Sequence, residues 1–441
     1  MIMKNDTILL LTPFEDCSQH RLTKHIPYKL VISVPIETCF YQPLQKIFSN
    51  VVLYDYWRRS VEIGINGVNN EIIELVKKEH PKYVLWISIG EYYEIKESTF
   101  EMIRKEKSIV IGWLFDVAIR FEYYSQWLIP YIDYFIVDDR EVLVKFKELN
   151  AWATQAICTG PGIDVDWTTQ NEMFDISFIG SFRANREQYI NEIKKSNFSI
   201  HLFGESGGKF VSNEGMLKIY EASRINLNFS MNYTNTKLAI KARIFEVCLS
   251  GGFLLTEYFP GIEDYFEIDR EIVCFTNSQE MLEKIEYYLN HDDERRKIAK
   301  AGWERANREY SAFRILSRVF QEIENDMQNG KGRTPQKLTM PRKIRKRVSD
   351  FYFTWGKAYL EENYCGFWKD TLQLSLSYDL FNLKARYYYI SGLLPLPLRI
   401  RLLHMYHLFE KYSRITTYGR WAESIPALRG IKRHIKEHFY M

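Results

Sequence analysis

Short apolar runs rich in Ile, Val and Phe recur along the first 330 residues, each followed by an amphipathic stretch. Continuous apolar runs suit strands buried on both faces, and a parallel sheet covered by helices supplies that burial. The pattern therefore predicts an α/β fold. In the first half it predicts strands at 7–11, 30–34, 51–54, 83–87, 109–114 and 134–137, with helices at 70–79 and 140–149 among them. Thr159, Gly160, Pro161 and Gly162 then disfavour any regular element and mark an interdomain connection. A second series of strands follows at 176–179, 200–203, 225–229, 252–255 and 272–275. From 278 to about 327 the pattern is helical, with Gly302 and the Tyr310-Ser311 pair as expected breaks, and Asn329-Gly330-Lys331-Gly332 ends it. The expected organisation is two doubly wound units in tandem, 1–160 and 161–330, with a helical tail at 331–441.

Composition narrows the function classes. At 441 residues the chain exceeds what one core usually supports, and its 46% hydrophobic and 26% charged residues are those of a globular protein. The six cysteines are scattered, with no histidine at zinc-site spacing, so neither disulfides nor structural zinc is expected. The first residues carry a short apolar run and then Glu15 and Asp16, which reads as a buried strand better than as a signal peptide. No apolar stretch reaches the roughly 20 residues of a membrane span, so a cytoplasmic protein is expected. Net charge is only +3, yet residues 341–441 hold 18 Lys and Arg against 8 Asp and Glu, a net of +10 that leaves −7 for the rest. Any attraction to an anionic surface is thereby assigned to the tail.

The most informative stretch is K-A-R-I-F-E-V-C-L-S-G-G-F-L-L-T at 241–256. A short helix pattern carrying Lys241, Arg243 and Glu246 runs into Gly251-Gly252 and an apolar strand from Phe253 to Thr256. In a doubly wound fold this lies near the sheet edge where ligands bind. A sugar nucleotide suits these groups. Its diphosphate needs cations and backbone N–H groups, and its ribose diol needs an acceptor such as a carboxylate. Lys241 and Arg243 can face phosphate, Glu246 can accept from ribose, and the paired glycines let the backbone come close. Read locally, the spacing of Arg243 and Glu246 fits a surface ion pair equally well.

The wider segment 241–310 resembles the donor-binding region of group 1, family 4-like glycosyltransferases, especially the branch that includes spore-maturation-type proteins. The likeness rests on R-I-F-E at 243–246, S-G-G-F-L-L-T at 250–256, F-P-G at 259–261, E-I-V at 271–273, the helices from Glu280 through His291 to Arg305, and D-I-S-F-I-G-S at 175–181. It covers about 110–325. It implies a GT-B fold, with two Rossmann-like domains facing a cleft plus a C-terminal helical extension, and a nucleotide-diphosphate sugar as donor with no cofactor and no metal. Glu246 matches the second glutamate of a paired motif and is implied to hold the ribose. Leu238 stands where the first would be, which leaves the donor sugar and the stereochemistry open. After Gly180-Ser181 the resemblance implies a basic residue against the diphosphate, with Arg183 preferred to Arg186. Cations are disfavoured near a helix N-terminus unless an anion is present, although a solvated turn is the alternative. Gly204 in the loop 203–208, Asn228 and Ser230 at a strand end, and Lys237 complete the candidate donor contacts.

Glycosyl transfer also needs a base for the acceptor hydroxyl. Asp116, at the end of the strand W-L-F-D at 113–116, is the first candidate, with Glu91 and Asp16 after it; a helix cap is the competing role for Asp116. Asp138-Asp139 and Asp164-Val165-Asp166 read as turn residues rather than a metal motif. In the tail, residues 387–412 interleave aromatic and aliphatic residues with Arg399, Arg401 and Lys411. Such a segment fits either an anionic membrane surface or the core of a small helical domain, and no motif supports nucleic-acid binding. The expected function is metal-independent glycosyl transfer, such as hexosyl transfer, to a glycan or lipid-linked acceptor in bacterial surface glycan assembly. The alternatives are epimerase or polyol-phosphate chemistry on the same fold, or a noncatalytic membrane-docked subunit.

Overall fold

The apolar runs form two parallel sheets whose first five strands follow the same order. The computed structural model describes residues 3–13, 35–88, 95–157, 167, 172–182, 185–204, 207, 211–232, 237–330, 338–361 and 367–417. The first lobe holds β1 (Met3–Thr12), β2 (Phe48–Asp55), β3 (Tyr83–Ser88), β4 (Ile109–Leu114), β5 (Tyr134–Val137) and β6 (Ala153–Gln155), ordered β2-β1-β3-β4-β5-β6. The second holds β7 (Phe174–Ile179), β8 (Ile200–Phe203), β9 (Ser223–Asn228), β10 (Leu254–Glu257) and β11 (Val273–Phe275), ordered β11-β10-β9-β7-β8. Counted within each lobe, the first sheet reads 2-1-3-4-5-6 and the second 2-1-3-4-5, so each has its topological switch point between its first and third strands. Ligands of such folds bind beyond the carboxyl ends of the strands at that point.

The central strands are buried along their whole length, β3 and β5 among them, which explains their unbroken apolar sequence. β6 was not anticipated, because Ala-Thr-Gln carries no apolar run; it pairs with β5 from Phe135↔Ala153 to Val137↔Gln155. The strand expected at 30–34 and the connection at 159–162 lie outside the described residues. Helix Tyr56–Glu79 is longer than the 70–79 expected and kinks at Gly64, where φ is 77°.

Gly302 does not break the helical region. It lies inside helix Asp292–Glu309, where a Cβ would come within 2.3 Å of the Glu271 carbonyl, so glycine here permits close packing. The break falls at His291 instead, between Ser278–Asn290 and Asp292–Glu309.

The last helix of this region, Ala312–Asn329, returns to the first lobe. Ile315, Leu316, Val319, Phe320 and Ile323 join the core under β1 and β3, with the Phe320 ring 4.8 Å from Phe48 and 5.4 Å from Tyr83. Lys82 pairs with Glu324 at 2.7 Å and with Asp6 at 2.9 Å. The span 161–330 thus supplies one helix to the first lobe's core.

Residues from Met340 onward and Ser60–Gly67 form a separate compact unit. Its described helices are Arg342–Glu361, Phe367–Tyr378, Leu383–Gly392 and Leu396–Thr417. A buried polar cluster ties three of these segments together. Ser349 Oγ donates to the Ser375 carbonyl at 2.7 Å, Ser375 Oγ donates back to the Ser349 carbonyl at 2.8 Å, and Asn382 donates to Ser349 Oγ at 3.0 Å. Tyr388 and Leu372 are fully buried beside it, so the tail has a core of its own. Among the described residues no helix is long and apolar enough to cross a membrane.

Candidate functional site

The site is organised by helix Ala242–Leu249, whose Ile244, Phe245, Val247, Cys248 and Leu249 are buried. Phe245 anchors it, ringed by Tyr265, Phe266 and Tyr310 at centroid distances of 5.0–5.7 Å. The helix ends in a Schellman-type turn. Gly252 N donates to the Val247 carbonyl at 3.0 Å, Gly251 N to that of Cys248 at 3.0 Å, and Gly251 takes φ 75°.

This turn corrects part of the sequence reading. A Cβ on Gly252 would lie 2.8 Å from the Tyr220 carbonyl, so the glycine serves helix–sheet packing rather than ligand approach, and Gly251 is likewise buried. Phe253 is a core residue 4.8 Å from the Tyr288 ring. Thr256 Oγ1 accepts from Asn228 at 2.9 Å, and Ser230 Oγ donates to the Glu257 carbonyl at 2.7 Å, all of them buried. Gly251, Gly252, Phe253, Thr256 and Ser230 are therefore scaffold, and Asn228 holds Arg243.

The groups on the opposite face of the turn do converge. A cavity of about 760 Å³ opens between the two lobes, lined by Arg186, Lys241, Arg243 and Glu246 from the second and by Phe115, Asp116 and Asp138 from the first. Arg243 lies across the switch point between β7 and β9. Its Nη1 is 3.4 Å from Asn228 Oδ1, its guanidinium sits 5.2 Å from the Phe178 ring centre, and its Nη2 is 3.0 Å from where a Cβ on Gly180 would stand. Gly180 is thus needed to seat the arginine. Gly204 supports Gly180 in turn, with φ 72° and a Cβ position 3.2 Å from the Gly180 nitrogen. The Arg243 Nε is buried without an acceptor, so the guanidinium is held by packing with hydrogen-bonding capacity to spare.

Arg243 and Glu246 form no ion pair among the described residues, which disposes of the surface-pair alternative. Glu246 instead accepts from the Tyr220 hydroxyl at 3.4 Å, and burial pushes its carboxyl up while Arg243 and Tyr220 oppose the shift. Lys241 is pulled down by burial, with Arg186 and Arg243 adding repulsion and Asp116 and Asp138 opposing it. Arg186 donates to the Ser181 carbonyl at 3.4 Å. Three cations gathered in a partly buried space repel one another, and an anion placed among them relieves that cost.

On the first lobe, the turn after β4 places Asp116 at φ 50° with its side chain 55% exposed and 3.5 Å from Arg120. Asp116 does not cap the following helical turn. Asp138, just past β5, does so, accepting from Asp116 N at 2.7 Å and Val117 N at 3.2 Å. Burial and the neighbouring Asp116 and Asp139 raise the Asp138 carboxyl to about 6. Asp139 caps helix Arg140–Glu148 through Glu141 N and Val142 N. The turn reading of Asp138-Asp139 thus holds, but it missed that Asp138 also lines the cavity; its position at a strand's carboxyl end was the available signal. Tyr220, which holds Glu246, carried no local signal.

Lys237 is a further correction. Its ammonium pairs with Asp139 at 2.9 Å and Glu141 at 3.0 Å, so its charge bridges the lobes at the cavity wall instead of awaiting phosphate. Burial alone would lower its affinity for the proton, but these partners raise it overall. Leu238 beside it lines the cavity, leaving an apolar surface where the resemblance places a glutamate. Arg183, Glu91 and Asp16 lie outside the described residues.

With the geometry in place, comparison with known proteins is informative about the second lobe. Residues 183–321, which include the site helix and its glycine turn, match the family described as glycosyl transferase-like. Two parallel-sheet lobes whose carboxyl edges share one cavity, with the last helix crossing back to the first lobe, constitute the GT-B architecture. No curated protein matches by sequence. Among solved structures, sucrose-phosphate synthase from Thermosynechococcus elongatus has a TM-score of 0.48 at 9% identity, covering 74% of this chain and 99% of that one. HepE of Anabaena in complex with UDP-glucose gives 0.48 at 9%, covering 73% and 100%. A glycosyltransferase from Rickettsia africae gives 0.43 at 11%, covering 74% and 99%.

Proposed function

We propose that this protein is a glycosyltransferase that moves a sugar, such as a hexose, from a nucleoside-diphosphate donor to a hydroxyl acceptor. The observation that carries this reading is the convergence of Arg186, Lys241 and Arg243 at the second lobe's switch point, beside the Glu246 carboxylate. The cavity, at about 760 Å³, is within the usual range of ligand sites.

In this reading the diphosphate lies among the three cations, and Glu246 accepts hydrogen bonds from the ribose diol. As the bond between the anomeric carbon and the diphosphate oxygen breaks, negative charge grows on the leaving group. Preplaced cations stabilise that charge more than they stabilise bound donor, and this lowers the barrier. Protein cations then take the part a metal would play. Asp116, at the rim contributed by the first lobe, removes the acceptor's proton as its oxygen attacks. Leu238 at the cavity wall offers the sugar an apolar contact. The acceptor is a glycan or lipid-linked hydroxyl, in keeping with surface glycan assembly.

Thermal-shift measurements with a panel of nucleotide sugars and free nucleotides test the proposal. A true donor stabilises the folded form by mass action, and at a hundredfold excess over its Kd the gain is about 2.7 kcal/mol. Stabilisation by at least one nucleoside diphosphate, with sugar transfer to an acceptor in its presence, is expected. A panel without any shift would refute the donor site. Donor turnover that is independent of any acceptor would favour epimerase chemistry instead.

A further inference from the structure

The helical unit exposes apolar side chains in a way the α/β lobes do not. Of the sixteen large hydrophobic residues that stand exposed in the described chain, ten fall within 380–408. Phe381 is 75% exposed, and Leu380 and Met405 are 62% exposed each. Leu393, Leu396 and Leu398 crowd the turn between helices Leu383–Gly392 and Leu396–Thr417, where Arg399 holds the chain by donating to the Gly392 carbonyl at 3.2 Å. The six others, such as Val144 and Tyr287, are spread along the rest of the chain. Scattered apolar residues need no explanation, whereas a concentration of them marks an interaction surface.

Charge identifies the partner. Residues 380–408 contain Lys384, Arg386, Arg399 and Arg401 and no Asp or Glu. A second copy of the chain would bring these cations against their own kind, which disfavours a symmetric dimer through this face. A bilayer with acidic phospholipids presents the complementary arrangement, anionic at the surface and apolar below.

We propose that residues 380–408 dock the helical unit in the headgroup layer of an anionic bilayer. The Leu, Ile, Phe and Met side chains enter the acyl boundary, and Lys384, Arg386 and Arg401 meet the lipid phosphates. The attachment lies in the plane of the membrane, since no described helix can span it. It rests on a different part of the chain from the donor site and stands or falls independently of it.

Cosedimentation of the full chain with vesicles tests the assignment, comparing phosphatidylcholine alone with phosphatidylcholine plus phosphatidylglycerol at low and high salt. Binding only to the anionic vesicles, weakened by salt, is expected. The double variant Leu393→Glu with Leu396→Glu and the double variant Arg386→Glu with Arg401→Glu should each lower the vesicle partition coefficient by roughly tenfold or more. All four side chains are exposed, so neither double variant should move the melting temperature; if the first does, the charge-reversal pair still decides. Equal binding to both vesicle types, binding to neither, or unchanged partition in the charge-reversal pair would overturn the proposal. So would self-association in solution that the Leu393→Glu and Leu396→Glu pair abolishes, because a second copy would then own the face.

Discussion

The two lobes share the order of their first five strands and present opposite net charges to the cavity. Both sheets run 2-1-3-4-5, the first adding a sixth strand at its edge, and both send strand ends into the same cavity. The second lobe's edge supplies Arg186, Lys237, Lys241 and Arg243 against one carboxylate, Glu246, whereas the first lobe's edge supplies Asp116, Asp138, Asp139 and Glu141 against Arg120 and Arg140. A common backbone plan therefore fixes where the cavity lies, and the segments after the strands fix the charge each edge brings to it. Cations suit the anionic half of a donor, and carboxylates suit an acceptor hydroxyl that must lose a proton. Lys237 joins the halves, reaching from the second lobe to Asp139 and Glu141 on the first, and Arg140 returns from the first lobe to Asp264 on the second.

This division can be broken most forcefully at Asp116. Asp116→Asn should lower kcat by about 10²- to 10⁴-fold, the usual range for losing a general base, while donor affinity stays within about twofold. Steady-state kinetics with saturating donor gives the first quantity, and calorimetric titration the second. A parallel loss of donor affinity would show that the acidic edge also binds the donor.

Asp138 gives a smaller effect with a definite sign. Its carboxyl is raised from 3.8 to about 6, so the unfolded chain ionises first and folding is favoured most below the lower value. That stability is lost as pH rises through about 6. Denaturant melts from pH 4 to 7 should show wild type losing up to about 3 kcal/mol relative to Asp138→Asn over this window. A constant difference across that range would mean that the carboxyl is not raised, and that its two backbone hydrogen bonds outweigh its burial.

The sequence made the fold legible wherever burial wrote itself into a continuous run. Strands at 109–114 and 134–137 coincide with β4 and β5 because both faces of those strands are covered. β6 escaped because three residues at a sheet edge need no apolar run, and Gly302 misled because the chain gives no hint of the Glu271 carbonyl packed against it. That Lys241, Arg243 and Glu246 stand together at one cavity was legible because their helix and glycine turn form one local motif. The errors at Ser230, Thr256 and Gly252 came from non-local partners: the Glu257 carbonyl, Asn228 and the Tyr220 carbonyl. Lys237 was read as available for phosphate because its partner Asp139 lies 98 residues away in sequence. Asp138 was visible at a strand end, but its cavity-facing position appears only when the two lobes are seen together.

The most direct test of the cationic edge compares affinities for the mono- and diphosphate of whichever nucleoside stabilises the protein. Wild type and Asp116→Asn should prefer the diphosphate by about tenfold or more, about 1.4 kcal/mol, and Arg243→Ala should lose most of that preference. A preference that survives intact in Arg243→Ala would place the diphosphate elsewhere and contradict the assignment of the second lobe.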